Sequence, residues 1–528
     1  MTLTATVDQP QQRSETEHLD VLVIGAGVSG IGAAHRLRTE SPQRTFAVLE
    51  AQDARGGTWW THQFPGARSD SDLFTYGYRH KPWRGASIAA GGAILEYLDE
   101  VIDEDDLTGA IRYHHSVTAL DWSSDDACWT AEVHRTDTGE RFRITASFLW
   151  MCQGYYNHDE PYTPEWPGVE RFEGTVVHPQ CWPADLDHAG KKIVVIGSGS
   201  TAATVVPALA RTAEHVRMLQ RSPSYWFPAP TTHELATTLE PLDLPPEWTH
   251  EIMRRQYVQQ LDWLATTGRD DPDQLHEFLV ETIRPLLPEG TDVEKHFVPS
   301  YRPWQQRIVF VPDGDFFEVM REGTASIVTD SITEFTEKGV QVSSGEVLEA
   351  DIIVTATGFN LAVFADIPFR VDGEPVDFAD RVTWRGMMIS GVPNMAYAFG
   401  YFRHSWTLRI DLINDVVGRV FERMAERGAT TVVPTLRPED DGMPRLPWSD
   451  PENFGPGYVT RSQDRMFRQG DREPWTHMHE HDHDRVALPR PISTTACSTA
   501  DHPTPRSDRA RDPRPHRNHP ELRDHRQR

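Results

Sequence analysis

The chain has little cysteine and no long apolar run. Its 528 residues include four cysteines, Cys128, Cys152, Cys181 and Cys497, and no two of them form a C-x-x-C pair. That spacing argues against a zinc site and a disulfide scaffold, and we expect no bound metal. No apolar stretch approaches the roughly 20 residues that a membrane-spanning helix needs, and segment 1–18 lacks the apolar centre of a secretory signal. We therefore predict a soluble, cytoplasmic protein.

Positive charge is also scarce. Lysine and arginine together number 52 against 79 aspartates and glutamates, which gives a net charge of -27. A polyanion would be repelled by this excess, so neither nucleic acid nor an anionic membrane is expected as a partner. The length allows about three domains around a large buried core.

What the chain does contain is a strand, a glycine turn and a helix in immediate succession. The apolar run 20–24 leads into Gly25, Gly27 and Gly30, spaced G-x-G-x-x-G, and then into helical spacing over 31–37. The first glycine permits a tight turn, the second lets a pyrophosphate approach the backbone, and the third lets helix and strand pack closely. The phosphates would lie on the helix N-terminus.

Glu50 completes this first dinucleotide unit. It ends a second apolar strand, 46–49, and follows Gly30 by twenty residues, where a carboxylate binds ribose hydroxyls. A 2'-phosphate would be repelled there, so the site should hold FAD or NAD rather than NADP.

A second unit repeats the pattern with a different ending. The run 191–196 precedes Gly197 and Gly199, and the next strand, 216–219, leads into Arg221 and Ser222 instead of an acid. A guanidinium suits a phosphate dianion, so this unit is predicted to bind NADP. Together the two units imply FAD and NADPH acting in one protein.

These patterns predict an α/β protein with two Rossmann-like dinucleotide-binding domains, a helical insertion and a disordered C-terminal tail. The predicted segments are 18–155 and 351–470 for the FAD domain, 156–190 for a linker, 191–225 and 301–350 for the NADP domain, 226–300 for the insertion, and 485–528 for the tail. An amphipathic helix is expected over 405–424. The alternating histidines of 477–483 are expected to be solvated.

The stretch 172–183 carries a family resemblance. It fits F-x-G-x-x-x-H-x-x-x-W-P, with the fixed positions Phe172, Gly174, His178, Trp182 and Pro183. With Gly57, Trp59 and Asp70 in a second motif, and with the Ala-Thr-Gly triplet 356–358, it resembles the type I Baeyer-Villiger monooxygenases. The resemblance covers about residues 18–470 and is strongest to the subgroup containing the ethionamide-activating enzyme.

The resemblance implies an NADPH- and O2-dependent flavoenzyme that converts ketones to esters or lactones through a C4a-peroxyflavin, and that also oxidises sulfides or thioamides. In such enzymes the arginine matching Arg307 stabilises the peroxide, and Asp70 would orient it through a hydrogen bond. Many relatives carry lysine where this chain has Gln306, so NADPH preference rests on Arg221. A flavin monooxygenase acting mainly on sulfur or nitrogen and a flavoprotein redox sensor are the alternatives.

The predicted cofactor contacts combine the motifs with this resemblance. The residues expected to contact FAD are Gly25, Gly27, Ser29, Gly30, Glu50, Gly57, Thr58, Trp59, Asp70, Tyr76 and Val117. The residues expected to contact NADP are Arg68, Gly197, Ser198, Gly199, Ser200, Thr201, Arg221 and Ser222. His178 and Trp182 are expected to couple domain movement rather than touch the reacting atoms.

Overall fold

The computed structural model describes residues 16–477, 479–491 and 497–501. Its strands are β1 (Glu17–Ile24), β2 (Phe46–Leu49), β3 (Ile111–Arg112), β4 (His115–Ser123), β5 (Cys128–Arg135), β6 (Arg141–Met151), β7 (Tyr156–Pro161), β8 (Thr175–Val177), β9 (Lys192–Ile196), β10 (His215–Gln220), β11 (Trp226–Ala229), β12 (Val309–Pro312), β13 (Ala325–Thr329), β14 (Ile332–Thr336), β15 (Gly339–Val342), β16 (Val347–Glu349), β17 (Ile352–Thr355), β18 (Phe359–Leu361), β19 (Phe369–Val371), β20 (Glu374–Pro375), β21 (Thr383–Trp384), β22 (Met388–Ile389), β23 (Met395–Tyr397), β24 (Ala429–Pro434) and β25 (Cys497–Asp501).

The helices connect these strands and form the insertion. They are α1 (Val28–Glu40), α2 (Thr58–Thr61), α3 (Leu73–Tyr76), α4 (Gly91–Glu104), α5 (Ser200–Ala210), α6 (Glu234–Leu239), α7 (Pro246–Asp270), α8 (Pro272–Ile283), α9 (Val293–Phe297), α10 (Asp315–Arg321), α11 (Trp406–Arg427), α12 (Gly457–Ser462) and α13 (His481–Ala487). Among the described residues, none of these helices combines the length and apolar character needed to cross a membrane.

The first sheet forms the core of the predicted flavin domain. Its strand order is β20-β19-β4-β5-β6-β1-β2-β3, and β23 also pairs with β6. β1 runs parallel to β2 and β6, and its apolar side chains are buried because α1, α4 and α11 cover one face of the sheet. β1 ends at Ile24, and the first glycine turn begins with the next residue, Gly25.

The second sheet forms the predicted nicotinamide domain and is parallel throughout, in the order β13-β10-β9-β17-β8. Two of the predicted boundaries are wrong here. The sequence places β17 in the flavin domain and β8 in the linker. In the structure β17 pairs with both β9 and β8, so both strands belong to the nicotinamide sheet. The chain returns to the flavin domain only after Thr355.

Two connections join the domains, and they run side by side. β7 leaves the flavin domain and β18 returns to it, and the two strands pair antiparallel. The insertion forms a further contact. Its helix α7 stacks Tyr257 on Phe74 with ring centroids 5.7 Å apart, and Arg254 donates to the backbone oxygens of Phe74 and Gly77. The predicted helical insertion is confirmed, although it begins with β11, which pairs with β12.

The C-terminal part is more ordered than the sequence suggested. The tail was predicted to start at residue 485, but Arg485 belongs to α13 and Leu488 is buried. β25 pairs antiparallel with β24, so a segment of the supposed tail completes a sheet. Backbone pairing with a distant strand orders a stretch that has no periodicity of its own. Residues 492–496 and 502–528, where the rest of that prediction falls, lie outside the described residues.

Candidate active site

The first glycine turn is shaped by close backbone contacts. Gly25 has φ +99°, and a Cβ there would meet the carbonyl oxygen of Cys152 at 2.7 Å. A Cβ on Gly30 would meet the Gly25 oxygen at 1.8 Å, so this glycine lets α1 pack against the turn. Gly27 stands at the N-terminus of α1 and faces Gly57. The absence of side chains at both positions leaves a cradle that a pyrophosphate can occupy.

Glu50 lies where the ribose prediction requires. Its carboxylate is 7% exposed and accepts the backbone N–H of Ala26 at 2.7 Å and of Gln52 at 3.0 Å. Burial raises the pKa of Glu50 and outweighs the backbone N–H groups that lower it. The side chain is thus fixed between the two loops that would enclose an adenosine ribose.

These loops surround a cavity of about 450 Å³, which is within the usual range for a cofactor site. All of the residues predicted to contact FAD line it except Gly30, which supports the turn from behind. Trp59 Nε1 donates to the Tyr76 hydroxyl at 2.7 Å, and burial raises the pKa of Tyr76. Trp406, the first residue of α11, donates to Ser29 Oγ at 2.8 Å, so this helix begins at the cavity wall.

The second glycine turn repeats this geometry. A Cβ on Gly197 would meet the Ala356 oxygen at 2.2 Å, whereas Gly199, at the N-terminus of α5, has open space around it. Ser198 donates to the Ser222 carbonyl oxygen at 3.3 Å and so ties this turn to the end of β10. Arg221 is exposed there and forms no hydrogen bond or ion pair with the part of the chain that the structure describes. Its guanidinium is available to a phosphate.

The loop after α2 fastens one domain to the other. Gly66 packs on α5, where a Cβ would meet the Ala208 side chain at 2.8 Å. Arg68 forms a two-pronged ion pair with Asp315 of α10, at 2.6 and 3.0 Å. The predicted contact of Arg68 with the nicotinamide stays a prediction, and in this structure its guanidinium joins the two domains.

Arg307 lies close to Asp70, as the sequence predicted. Its Nη1 is 4.0 Å from Asp70 Oδ2, and its Nη2 donates to the Phe402 oxygen at 3.4 Å. The predicted hydrogen bond between Arg307 and Asp70 is not formed, because 4.0 Å exceeds hydrogen-bond range. Asp70 Oδ2 instead accepts from Ser200 Oγ at 3.0 Å, which ties the carboxylate to the start of α5.

Three tyrosines that the sequence analysis missed surround the same guanidinium. They are Tyr155, Tyr156 and Tyr458, and the first two share a hydrogen bond of 2.9 Å between their hydroxyls. Burial acts to lower the pKa of Arg307, but the charge of Asp70 and the nearby phenols hold it above its ordinary value. The cation is therefore permanent. The sequence signal for this group was the pair Tyr155-Tyr156, which begins four residues after the end of β6.

A second, mainly apolar pocket meets the large cavity at this arginine. Asp70, Ser71, Arg307 and His404 line both spaces. The apolar wall of the pocket comes largely from the insertion and the strands beside it: Phe227, Pro230, Tyr257, Leu261, Trp304, Ile308, Phe310 and Phe402. Trp304 is held with φ +65° by its Nε1 bond to the Leu264 oxygen at 2.9 Å. None of these wall residues was identified from the sequence.

The family motif of residues 172–183, called the fingerprint below, lies at the junction of the domains, away from the large cavity. Phe172 is buried in one hydrophobic cluster of the nicotinamide domain, and Trp182 packs against a second cluster of the same domain. A Cβ on Gly174 would meet the Asp351 oxygen at 2.3 Å, and Leu186 donates to the Pro183 oxygen. These contacts fix β8 at the edge of the nicotinamide sheet.

His178 lies where the two domains meet, and its coupling to domain movement stays a prediction. Its Nδ1 accepts the Gln180 N–H at 3.1 Å, and its ring borders a small pocket with His62, Thr201 and Gly358. Burial lowers the pKa of His178. Burial, together with the neighbouring His158 and His178, lowers the pKa of His62 to about 4. Residues from both domains thus share this pocket.

The histidine run near the C-terminus is buried, which contradicts the prediction that it is solvated. His477, His479 and His481 are 2%, 8% and 8% exposed. The rings of His477 and His479 lie 3.6 Å apart, and His479 stacks on Phe402. Neighbouring aromatic side chains cover the segment, so its polar sequence does not reflect its surroundings.

Comparisons with known proteins agree with this architecture. A family profile described as pyridine nucleotide-disulphide oxidoreductase matches residues 19–242. Cys128, Cys152 and Cys181, the cysteines whose side chains the structure describes, are free and form no redox disulfide of the kind that this description suggests. The structure also matches a solved steroid monooxygenase bound to NADP, with TM-score 0.66 and 26% identity, over 80% of this chain and 88% of that one.

Two curated relatives are closer in sequence. The chain is 44% identical over 462 residues to the FAD-containing monooxygenase EthA of Mycolicibacterium smegmatis, covering 87% of this chain and 92% of the relative. It is also 44% identical over 462 residues to EthA of Mycobacterium tuberculosis, covering 87% and 93%. With this identity over most of its length, with both glycine turns and with the fingerprint, the chain belongs to the FAD-containing monooxygenases of the type I Baeyer-Villiger family.

Proposed function

We propose that this protein uses NADPH and O2 to convert apolar ketones into esters or lactones. The observation that carries the proposal is the position of Arg307 at the meeting point of the two spaces, one shaped for a dinucleotide and the other apolar. A cation at that point can act on a substrate held in the apolar pocket while the cofactor occupies the large cavity.

The residues fit the two cofactors. Gly27, Gly57 and Glu50 would hold FAD by its pyrophosphate and ribose, and Gly199 and Arg221 would hold NADPH by its phosphates. When bound, NADPH supplies a hydride to FAD, which delivers two electrons to O2 so that one oxygen atom can enter the substrate. The chain supplies the binding, the orientation and the charge around this chemistry.

Arg307 would stabilise the negative charge that develops on the substrate carbonyl oxygen as the carbonyl carbon is attacked. Its guanidinium is held by Asp70 and the Phe402 carbonyl oxygen. Because Asp70 is bonded to Ser200 of α5, the position of Arg307 depends on the nicotinamide domain as well. The arginine should therefore be placed correctly only while the domains are docked.

The apolar pocket supports a ketone with a hydrocarbon body. Side chains such as Phe227, Leu261 and Phe310 would hold that body, and Arg307 would fix the carbonyl at the inner end. Oxidation of sulfur develops no anion on the substrate, so it gains less from the cation. We include the oxidation of apolar sulfides or thioamides in the same pocket as a second activity.

The test is a product analysis with isotopically labelled O2 over a matched panel of apolar ketones and sulfides. We expect one labelled oxygen in each ester or lactone, with NADPH consumption equal to product formation. Labelled sulfoxide without any ester would contradict the proposal and favour a monooxygenase acting on sulfur.

A further inference from the structure

Two histidines and an aspartate from separate parts of the chain meet beside the apolar pocket. They are Asp262 of α7, His404 just before α11, and His481 at the start of α13. His404 Nε2 lies 2.9 Å and His481 Nδ1 lies 3.2 Å from the same oxygen, Asp262 Oδ1. The potential ligand atoms of all three residues lie within 4.8 Å of one another.

The two histidines are shielded from solvent, whereas Asp262 is partly exposed. The side chains of His404, His481 and Asp262 are 2%, 10% and 25% exposed. Arg403, next in the chain to His404, is paired with Glu480 at 2.6 Å and so is not directed at Asp262. The Asp262 carboxylate faces both imidazole rings, so one oxygen and two nitrogen atoms that can bind a cation point towards a common centre.

The geometry is close to that of a metal site. Ligands about 2.1 Å from a tetrahedral ion lie roughly 3.4 Å from one another. The two nitrogen-to-oxygen distances of 2.9 and 3.2 Å are only a few tenths of an ångström shorter, so small side-chain shifts would admit an ion. Two imidazoles and one carboxylate match the ligands preferred by Zn²⁺ and neighbouring divalent transition metals.

We propose that Asp262, His404 and His481 form a binding site for a divalent transition-metal ion such as Zn²⁺. Three protein ligands leave one position for water. The ion would fasten the insertion helix α7 and the C-terminal helix α13 to the segment that lines both cavities. It would also fix the proton of His404 on Nδ1, because a metal binds the unprotonated nitrogen. The proposal departs from the sequence expectation that the protein binds no metal.

The experiment uses the full-length, FAD-loaded protein without a histidine tag. After treatment with a chelator and its removal, Zn²⁺ is titrated by equilibrium dialysis and metal is counted by mass spectrometry. We expect one tightly bound Zn²⁺ per chain and a higher Tm in its presence. Asp262→Asn and His481→Ala should each weaken binding by about a hundredfold, a loss comparable to the larger effects on metal affinity seen when supporting groups are removed.

His483→Ala is the matched control, because this histidine lies on the same helix but outside the cluster. It should bind Zn²⁺ like the wild type. Retained FAD and an unchanged circular dichroism spectrum show whether each variant folds, and Asp262→Asn preserves side-chain volume. A wild-type protein that binds no stoichiometric Zn²⁺ would overturn the proposal, as would binding that Asp262→Asn leaves intact. Metal content is measured without turnover, so the result is independent of the proposed oxygenation.

Discussion

Removing the guanidinium of Arg307 should separate the two halves of the reaction. Hydride transfer requires NADPH to be held over the flavin, whereas oxygen insertion also requires a cation beside the developing oxyanion. We expect Arg307→Ala to keep consuming NADPH, to release hydrogen peroxide and to form almost no ester. Bound FAD should be retained, because Glu50 and the first glycine turn lie elsewhere in the cavity.

The size of the loss follows from the distances around Arg307. Asp70 lies 4.0 Å from the guanidinium, and we take the same distance for the developing oxyanion. At an effective dielectric constant of about 20, the guanidinium would then stabilise that oxyanion by about 4 kcal/mol. At about 1.4 kcal/mol for each factor of ten, ester formation should fall roughly a thousandfold. Removal of a single oxyanion donor typically costs a hundredfold to a thousandfold, which is about the same size.

The assay is a stoichiometry measured in the wild type and the variants: NADPH consumed, hydrogen peroxide released and ester formed from one apolar ketone. Arg302→Ala is a suitable control, because Arg302 belongs to the same segment but bonds the Gly268 and Glu452 oxygens and lines neither cavity. It should remain coupled. If Arg307→Ala forms ester with normal coupling, Arg307 is not the stabilising cation.

Three further perturbations test other parts of the site. Arg221→Ala should raise the KM for NADPH by roughly tenfold to a hundredfold and leave NADH unchanged, since a charged hydrogen bond contributes about 1.5–3 kcal/mol; equal losses with both coenzymes would refute the assignment, and Gln306→Lys should lower the KM for NADPH. His178→Ala should retain FAD but lose most oxygenation, because this ring contacts the domain junction and not the large cavity; isolation without flavin would show a purely structural role. The pKa of His62 is lowered from 6.5 to about 4 in the folded state, so below pH 6.5 the unfolded chain takes up the proton more readily. The contribution of His62 to the free energy of unfolding is therefore full above pH 6.5 and is lost as the pH falls towards 4. His62→Phe, which keeps the ring stacked on Phe359, should make Tm less sensitive to pH in this window, and an unchanged profile would contradict the reasoning.

The sequence by itself determined the parts of the site that depend on contiguous residues. The glycines at 25 and 197 are recognisable because their backbone angles and close contacts exclude side chains. Glu50 and Arg221 are recognisable because each follows a strand whose end must face its own glycine turn. Arg307 and the fingerprint came from the family resemblance, and the structure places Arg307 4.0 Å from Asp70 without the hydrogen bond that was expected.

Tertiary structure alone decided which distant segments meet. The assignment of β17 to the nicotinamide sheet, the pairing of β25 with β24 and the burial of the histidine run all depend on neighbours far away in the chain. The convergence of Asp262, His404 and His481 has the same origin. Periodicity reports how a segment folds locally, but burial and charge are set by whatever packs against it, and that partner is fixed only when the whole chain has folded.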